Sequence, residues 1–361
     1  MRITDRKSLT QYLEKHLTHT YENIKDEKKL KYEQNYLKTY IVESNLNNIT
    51  EMSLPNGIEV DMKHIENDKY LYSYRISDGK KDAQFFIDTI SGRFWLLHTI
   101  SDSNNSDYFI EKIVEQNMSG LDHLWFSTQF MEEIWKAGIS KGFTLRFENE
   151  FFDGEVRVPI KSLSMRLWGE TALKVLKTLK KDEDLSGSIA LSGIGLKKFL
   201  SDEDFIINDI SYWAKFTARG TSIDAHYNLI ENILQSYKWE IENIEKSRLK
   251  YRKATNGFLS SGEPLTIEFD PPIEHLGVFL QNLFASRKPF RLFGIWKFLR
   301  DDYAKVSALD LHNGDEIDLE VSNRWMRIYL PDNTCGNTAL RLITNIQHYY
   351  SSRATLFNNF E

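Results

Sequence analysis

The strongest constraint on this chain is an internal echo. Leu-Ser-Gly-Ile-Gly-Leu-Lys-Lys-Phe-Leu-Ser-Asp at 191–202 is matched in outline by Leu-Phe-Gly-Ile-Trp-Lys-Phe-Leu-Arg-Asp at 292–301. Each copy follows an apolar strand pattern and an amphipathic helix pattern at nearly the same distance, 26 residues from Leu167 to Gly193 and 27 from Ile267 to Gly294. Self-similarity at that length predicts two tandem copies of one mixed module. A duplicated module favours a repeated holding surface, whereas catalysis needs one asymmetric cluster of reactive groups.

At 361 residues the chain exceeds what a single core usually serves, so several packed units are expected. The pattern divides into an N-terminal α+β domain with a helical arm (1–150), a first repeat unit with a long C-terminal helix (151–254) and a second repeat unit (255–361). With 46 basic against 52 acidic residues the net charge is -6, so attraction to a polyanion has to be local. The single Cys335 can form neither an internal disulfide nor a thiolate zinc site on its own. The opening Met-Arg-Ile-Thr-Asp-Arg-Lys has no apolar leader, and no stretch approaches the roughly 20 apolar residues of a membrane span. The expectation is a cytoplasmic protein that makes no membrane contact.

Along the chain, residues 8–45 read as a charged helical arm. Ile58, Val60 and Met62, then Tyr70, Tyr72, Tyr74 and Ile76, alternate as strands. Gln84–Asp88 and Arg93–Ile100 flank a turn ending in Gly92, and helices are expected at 106–117 and 121–137. A strand over Glu155–Trp168 precedes a helix carrying Ala172, Val175, Leu176 and Leu179. Ile206–Arg219 then leads into a long helix with Ile223, Tyr227, Ile230, Leu234, Tyr237, Ile241 and Ile244 in a three-heptad seam, read as internal packing. Ala254-Thr255-Asn256-Gly257 reads as a helix stop. Beyond it come a strand at 265–269, a helix through Leu276–Phe284, strands at 290–299, 304–312, 315–322 and 324–330, and a final helix with Ala339, Leu342, Ile343 and Ile346. Asn313-Gly314 suggests a type I′ hairpin.

These orders, β-α-β-β-α with room for one more strand and then β-α-β-β-β-β-α, define an α+β class with helices on one sheet face. The order of elements over about 155–350 is similar to that of the TATA-binding-protein-like fold, a duplicated saddle; no sequence motif of that family accompanies it.

If helices cover one face, the other should carry function. Trp213, Lys215, Thr217 and Arg219 share one side of their run, as do Trp325, Arg327 and Tyr329; Arg291, Lys297 and Arg300 add charge. Aromatic planes beside cations suit base stacking with phosphate contact. Lys246, Arg248, Lys250, Arg252 and Lys253 form a second basic cluster, which equally suits a helix C-terminus pairing with Glu240, Glu242 and Glu245. The leading expectation is a non-enzymatic nucleic-acid-binding subunit, DNA or RNA, within a larger bacterial-type complex and without a cofactor. The alternative is a scaffold subunit docking protein partners through helix 223–244 and the sheet faces. A further alternative is a metal-dependent hydrolase using Asp310, His312 and Asp315, with Glu316, Asp318 and Glu320 nearby. The chain lacks a phosphate loop, a His-Glu-x-x-His pair and a Gly-x-Ser-x-Gly elbow, and the nine histidines show no ligand spacing.

Overall fold

A computed structural model describes residues 2–24, 35–54, 56–152, 160–255 and 257–357. The chain is α+β, with seven α-helices and two large antiparallel sheets among the described residues. No helix of these residues is long and apolar enough to cross a membrane.

Helix α1 (Arg6–Ile24) is followed by strand β1 (Leu37–Ser44), the meander β2 (Glu59–His64), β3 (Leu71–Ser77), β4 (Asp82–Asp88) and β5 (Phe94–Thr99), then α2 (Ser103–Gln116) and β6 (Leu121–His123). The expected helical arm therefore ends early, because Leu37–Ser44 is a strand with every residue buried. The expected helix at 121–137 splits into β6 and α3 (Thr128–Lys136). Next come β7 (Ile139–Glu148), β8 (Ser162–Trp168), α4 (Ala172–Leu179), β9 (Leu191–Phe199), β10 (Phe205–Ser211), β11 (Lys215–Gly220) and α5 (Ile223–Lys246). Part of the expected strand before Ser162 lies outside the described residues.

One sheet runs β2-β3-β4-β5-β1-β11-β10-β9-β7-β8, with β6 also on β1. Lys38 pairs with Thr217 and Tyr40 with Lys215, so hydrogen bonding continues across the boundary expected at residue 150. Around β1, β4 and β5 this sheet is covered on both faces, outside the region for which helices on one face were expected. Leu37, Ile41, Phe86 and Phe94 pack with Leu9, Leu13 and Leu17 of α1 and with α5. Their strand neighbours Tyr40, Val42, Phe85 and Trp95 point the opposite way, against Phe109, Ile110 and Ile113 of α2. Alternation of side chains across a strand makes both layers unavoidable. The seam of α5 is internal: Ile223, Ile230, Leu234, Tyr237, Ile241 and Ile244 are buried.

After α5, β12 (Lys250–Ala254) and β13 (Gly257–Ser261) pair as a ribbon, where a simple helix stop was expected. The last unit contains β14 (Leu265–Glu268), α6 (Leu276–Leu283), β15 (Leu292–Arg300), β16 (Tyr303–Asp310), β17 (Glu316–Ser322), β18 (Trp325–Tyr329), α7 (Asn337–Tyr349) and β19 (Thr355–Phe357), in sheet order β15-β16-β17-β18-β14-β19. The Asn313-Gly314 connection is a loop from Leu311 to Asp315. Only Gly314, φ 84°, has positive φ there, whereas a type I′ turn needs two such residues.

The closest topological match inside the chain joins segments that the echo does not. β1, the β2–β5 meander, α2 and β6 follow the same path as β14, the β15–β18 meander, α7 and β19. In both, the first strand pairs with the last strand of the meander on one side and with the strand after the helix on the other. The echoed segments form β9, interior between β10 and β7, and β15, at a sheet edge. Their shared glycines answer to a local need. A Cβ on Gly195 would meet the Trp168 ring at 2.2 Å, and one on Gly294 the Phe284 ring at 2.6 Å, so in each strand an aromatic ring lies directly on the backbone.

Candidate functional site

The twelve residues expected to bind nucleic acid do not form one surface. Trp213 sits in the turn between β10 and β11, half-buried against Tyr40 (5.6 Å between ring centroids) and His123 (5.2 Å). Lys215 is paired with Asp107 of α2 at 2.6 Å. Arg219 is fully buried, 3.6 Å from Asp209 and 5.3 Å from the Trp168 ring. The covering by α2 accounts for the enclosure of Trp213 and Lys215.

The C-terminal set is open. Arg327 lies over the Trp325 ring at 4.7 Å, Tyr329 donates to Glu320 at 3.1 Å, and Lys305 meets the same carboxylate at 3.3 Å. Lys297 pairs in register with Lys305, so cations and Glu320 share this face. Lys246 donates to Asn243, Arg248 is paired with Glu245 at 2.7 Å, and Lys250 is exposed on β12. The Arg252 side chain lies outside the described residues. These basic residues are divided among a helix end, a loop and a ribbon, so they do not form the single helical cluster expected.

The acidic hairpin also separates. Asp310 is buried against Arg341 and Thr338, Asp315 accepts from Asn313 and from the Cys335 N–H, and Asp318 accepts from Ser307. Among the described residues no group of three or more His, Cys, Asp or Glu gathers in a way that could hold a metal ion. Period-two alternation and the Arg341 pairing draw the carboxylates apart.

Arg291 belongs to a different site, one that sequence patterns did not mark. A cleft of about 510 Å3 opens where α2, the segment after β6, the end of β7, the 287–291 loop, the β16–β17 loop and α7 converge. Its floor holds a buried ionic network. Arg341 of α7 donates to Asp122 at 2.5 Å and also to Asp310. Asp122 further accepts from Asn337 (3.1 Å) and from the Trp125 indole N–H (3.0 Å), and it lies 3.3 Å from Nε2 of His312. Two carboxylates around one guanidinium leave the arginine no charge to offer a ligand.

Both floor histidines are neutral near pH 7. Burial holds His123 down at about 4; burial, with Arg341 close by, pushes His312 the same way. Neutral imidazoles of such low basicity accept and donate hydrogen bonds well and abstract protons poorly. Nδ1 of His123 is sealed from solvent with no hydrogen-bond partner among the described residues.

Trp125, Tyr212, Tyr349 and Phe151 give the cleft aromatic walls. At its rim Glu115 is bound by Lys288 and by Arg291 at 3.4 Å, and Arg287 covers the Phe151 ring at 4.6 Å. Arg291 adopts φ 51°, left-handed for a residue with a side chain, which costs about 1 kcal/mol and recurs at binding sites.

The polar face of α7 would read as solvent-exposed, yet every residue from Asn337 to His348 is buried. Gln347 accepts from Thr128 N–H at 2.8 Å, and His348 Nδ1 meets the Arg146 carbonyl at 2.8 Å. An arginine and two amides on one helix face were the available signal. Only partners far along the chain show that this face is internal.

Over 392 aligned positions, covering 98% of this chain and 94% of the relative, the sequence is 33% identical to MJECL33 of Methanocaldococcus jannaschii, described as an uncharacterized protein. The model of the MJECL33-like protein family matches residues 1–360. On this near full-length agreement, the chain belongs to the MJECL33-like protein family.

Proposed function

We propose that the protein is a binding protein for a small polar ligand carrying a ring, held in the cleft between α2, β7 and α7. The observation that carries this reading is the combination of aromatic walls with a floor of mutually paired polar groups, two carboxylates about one guanidinium, in one 510 Å3 space, the size and chemistry usual for small-molecule sites. Binding is favoured over catalysis because the histidines are weak bases and the carboxylate beside them, Asp122, is engaged by Arg341, Asn337 and Trp125. A thermal-shift panel of nucleosides, nucleotides and amino acids tests it. Saturation at about 100 times Kd adds about 2.7 kcal/mol, a shift of several degrees for a chain of this size. Tyr349→Ala should abolish the shift without unfolding the protein. No shift from any class, with no small molecule co-purifying by mass spectrometry, would sink the reading.

A second reading keeps nucleic acid on the C-terminal sheet face. It is favoured by the Arg327–Trp325 stack beside Lys297 and Lys305 on strands whose outer side chains no helix covers among the described residues. Trp325→Ala with Arg327→Ala should weaken single-stranded DNA or RNA binding by at least about tenfold in fluorescence polarisation. Equal affinity in the double variant would remove this surface from consideration. The finer architectural reading, tandem TATA-binding-protein-like units over about 155–350, belongs to the same proposal; the shared path of 37–123 and 265–357 is a different pairing and does not bear on it.

A further inference from the structure

Helix α5 sends its seam inward, yet Trp239 on its outer side stands 68% exposed. It borders a second space, an apolar groove of about 840 Å3 between α3, α5, α7 and β19, lined by Phe130, Ile244, Ile343, Leu356 and Phe357. A large exposed aromatic beside such a groove is the usual anchor of a docking surface. Glu240, adjacent to Trp239, lines the same groove.

No hydrogen bond or ion pair satisfies the Glu240 carboxylate among the described residues, and burial pushes it up to about 7. The groups around it do not answer its charge. From α3, Glu133 is already paired with Lys136 at 2.5 Å. From α5 come the uncharged Gln235, Ser236 and Asn243, and from α7 and β19 Ile343, Thr355, Leu356 and Phe357. A half-buried carboxylate without a cation is unfavourable, and a cation brought by a partner relieves it.

We infer that this groove docks a basic amphipathic helix of a partner protein, its apolar side chains packing on Trp239 and the groove floor and a Lys or Arg meeting Glu240. Two features select this occupant. The groove is built largely from helices, which suits helix-in-groove packing, and its unmatched charge is negative. A second copy of the chain is disfavoured because the cations nearest the groove are already committed, Lys238 over the Phe94 ring at 5.8 Å and Lys136 to Glu133 at 2.5 Å, and cannot return the contact as a two-fold interface would require.

The test is fluorescence anisotropy on the full chain with a labelled Leu/Lys peptide, leucines at i, i+3, i+4 and i+7, against a Leu/Glu peptide of the same pattern. The Leu/Lys peptide should bind and the Leu/Glu peptide should bind at least about tenfold more weakly. Trp239→Ala and Glu240→Gln should each reduce affinity by about tenfold or more. Wild-type affinity should rise severalfold between about pH 6 and about pH 8 as Glu240 ionises, and Glu240→Gln should flatten that rise. Absence of Leu/Lys binding, equal binding of both peptides, or full binding by either variant overturns the inference. Trp239-dependent self-association in sedimentation also overturns it, by identifying the occupant as a second copy.

Discussion

Acidification from pH 7 to pH 5 is expected to bring this protein close to unfolding. Besides His312, four histidines are held neutral in the folded chain by burial: His98, His123 and His348 at about 4 and His226 at about 3. Their ordinary value is 6.5, so the folded pKa lies below the unfolded one. The stability they carry is complete above about pH 6.5 and is lost as pH falls toward 4, because the unfolded chain takes up protons that the folded chain refuses. At pH 5 each loss is about 2 kcal/mol, or roughly 8 together.

Glu240 acts in the opposite sense. Its folded pKa is raised, so the penalty of its charge is relieved on acidification, returning about 2 kcal/mol over the same interval. For these five groups the balance, on the order of 6 kcal/mol, is comparable with the entire stability of an ordinary domain, about 5–15 kcal/mol, and the raised carboxyls of Glu43, Asp209 and Asp315 reduce it. The structural reason is concentrated at β1, where the Thr39 hydroxyl lies 2.9 Å from His98 Nδ1 and 2.9 Å from His226 Nε2. A hydroxyl can donate to one imidazole and accept from the other, and this central trio has no place for two added charges. Urea midpoints at pH 7 and pH 5 measure the effect; equal midpoints would show that the histidines protonate without opening the fold.

The second large effect is expected at Arg341. The residue is 4% exposed, and its guanidinium ties Asp122 of β6 to Asp310 at the end of β16, so it joins early and late parts of the chain through charge. Arg341→Met removes the cation and leaves two carboxylates in a buried site, at a cost of about 3–5 kcal/mol. Most of that cost is the stranded charge, not lost attraction. Adding Asp122→Asn and Asp310→Asn should therefore recover at least half of it, a reversal that a simple packing defect would not show. Urea denaturation of the single and triple variants decides. A cost below about 1 kcal/mol for Arg341→Met would mean that apolar contacts alone hold the units together.

Elements with one wet and one dry face were legible in the amino-acid pattern. The strands expected at 290–299, 304–312, 315–322 and 324–330 match Leu292–Arg300, Tyr303–Asp310, Glu316–Ser322 and Trp325–Tyr329 closely. Alternation is visible in β16, where Ala304, Val306 and Ala308 are buried between exposed Lys305 and Ser307. Helix α5 was legible for the same reason, with Asn228, Glu231, Asn232 and Gln235 facing water opposite its seam.

Strand β1 was not legible. Leu-Lys-Thr-Tyr-Ile-Val-Glu-Ser is buried on both faces, so its polar residues do not alternate with exposure. Lys38 is hidden by donating to the Tyr36 carbonyl at 2.9 Å, and Glu43 by pairing with Arg93 at 2.5 Å. The cleft was hidden similarly, because Asp122, His312 and Arg341 are residue types that water usually satisfies and here satisfy one another.

The sequence by itself determined the mixed class, the helices with an apolar stripe, the C-terminal meander and the apolar seam of α5, since each follows from local periodicity; that the seam faces inward was decided by the fold. Tertiary structure alone decided that β1 joins β5 to β11, that the matching paths are 37–123 and 265–357, and that the polar face of α7 lines a cleft. Those outcomes depend on pairings between residues far apart in the chain, and a polar side chain has the same local sequence signature whether its partner is water or a distant carboxylate.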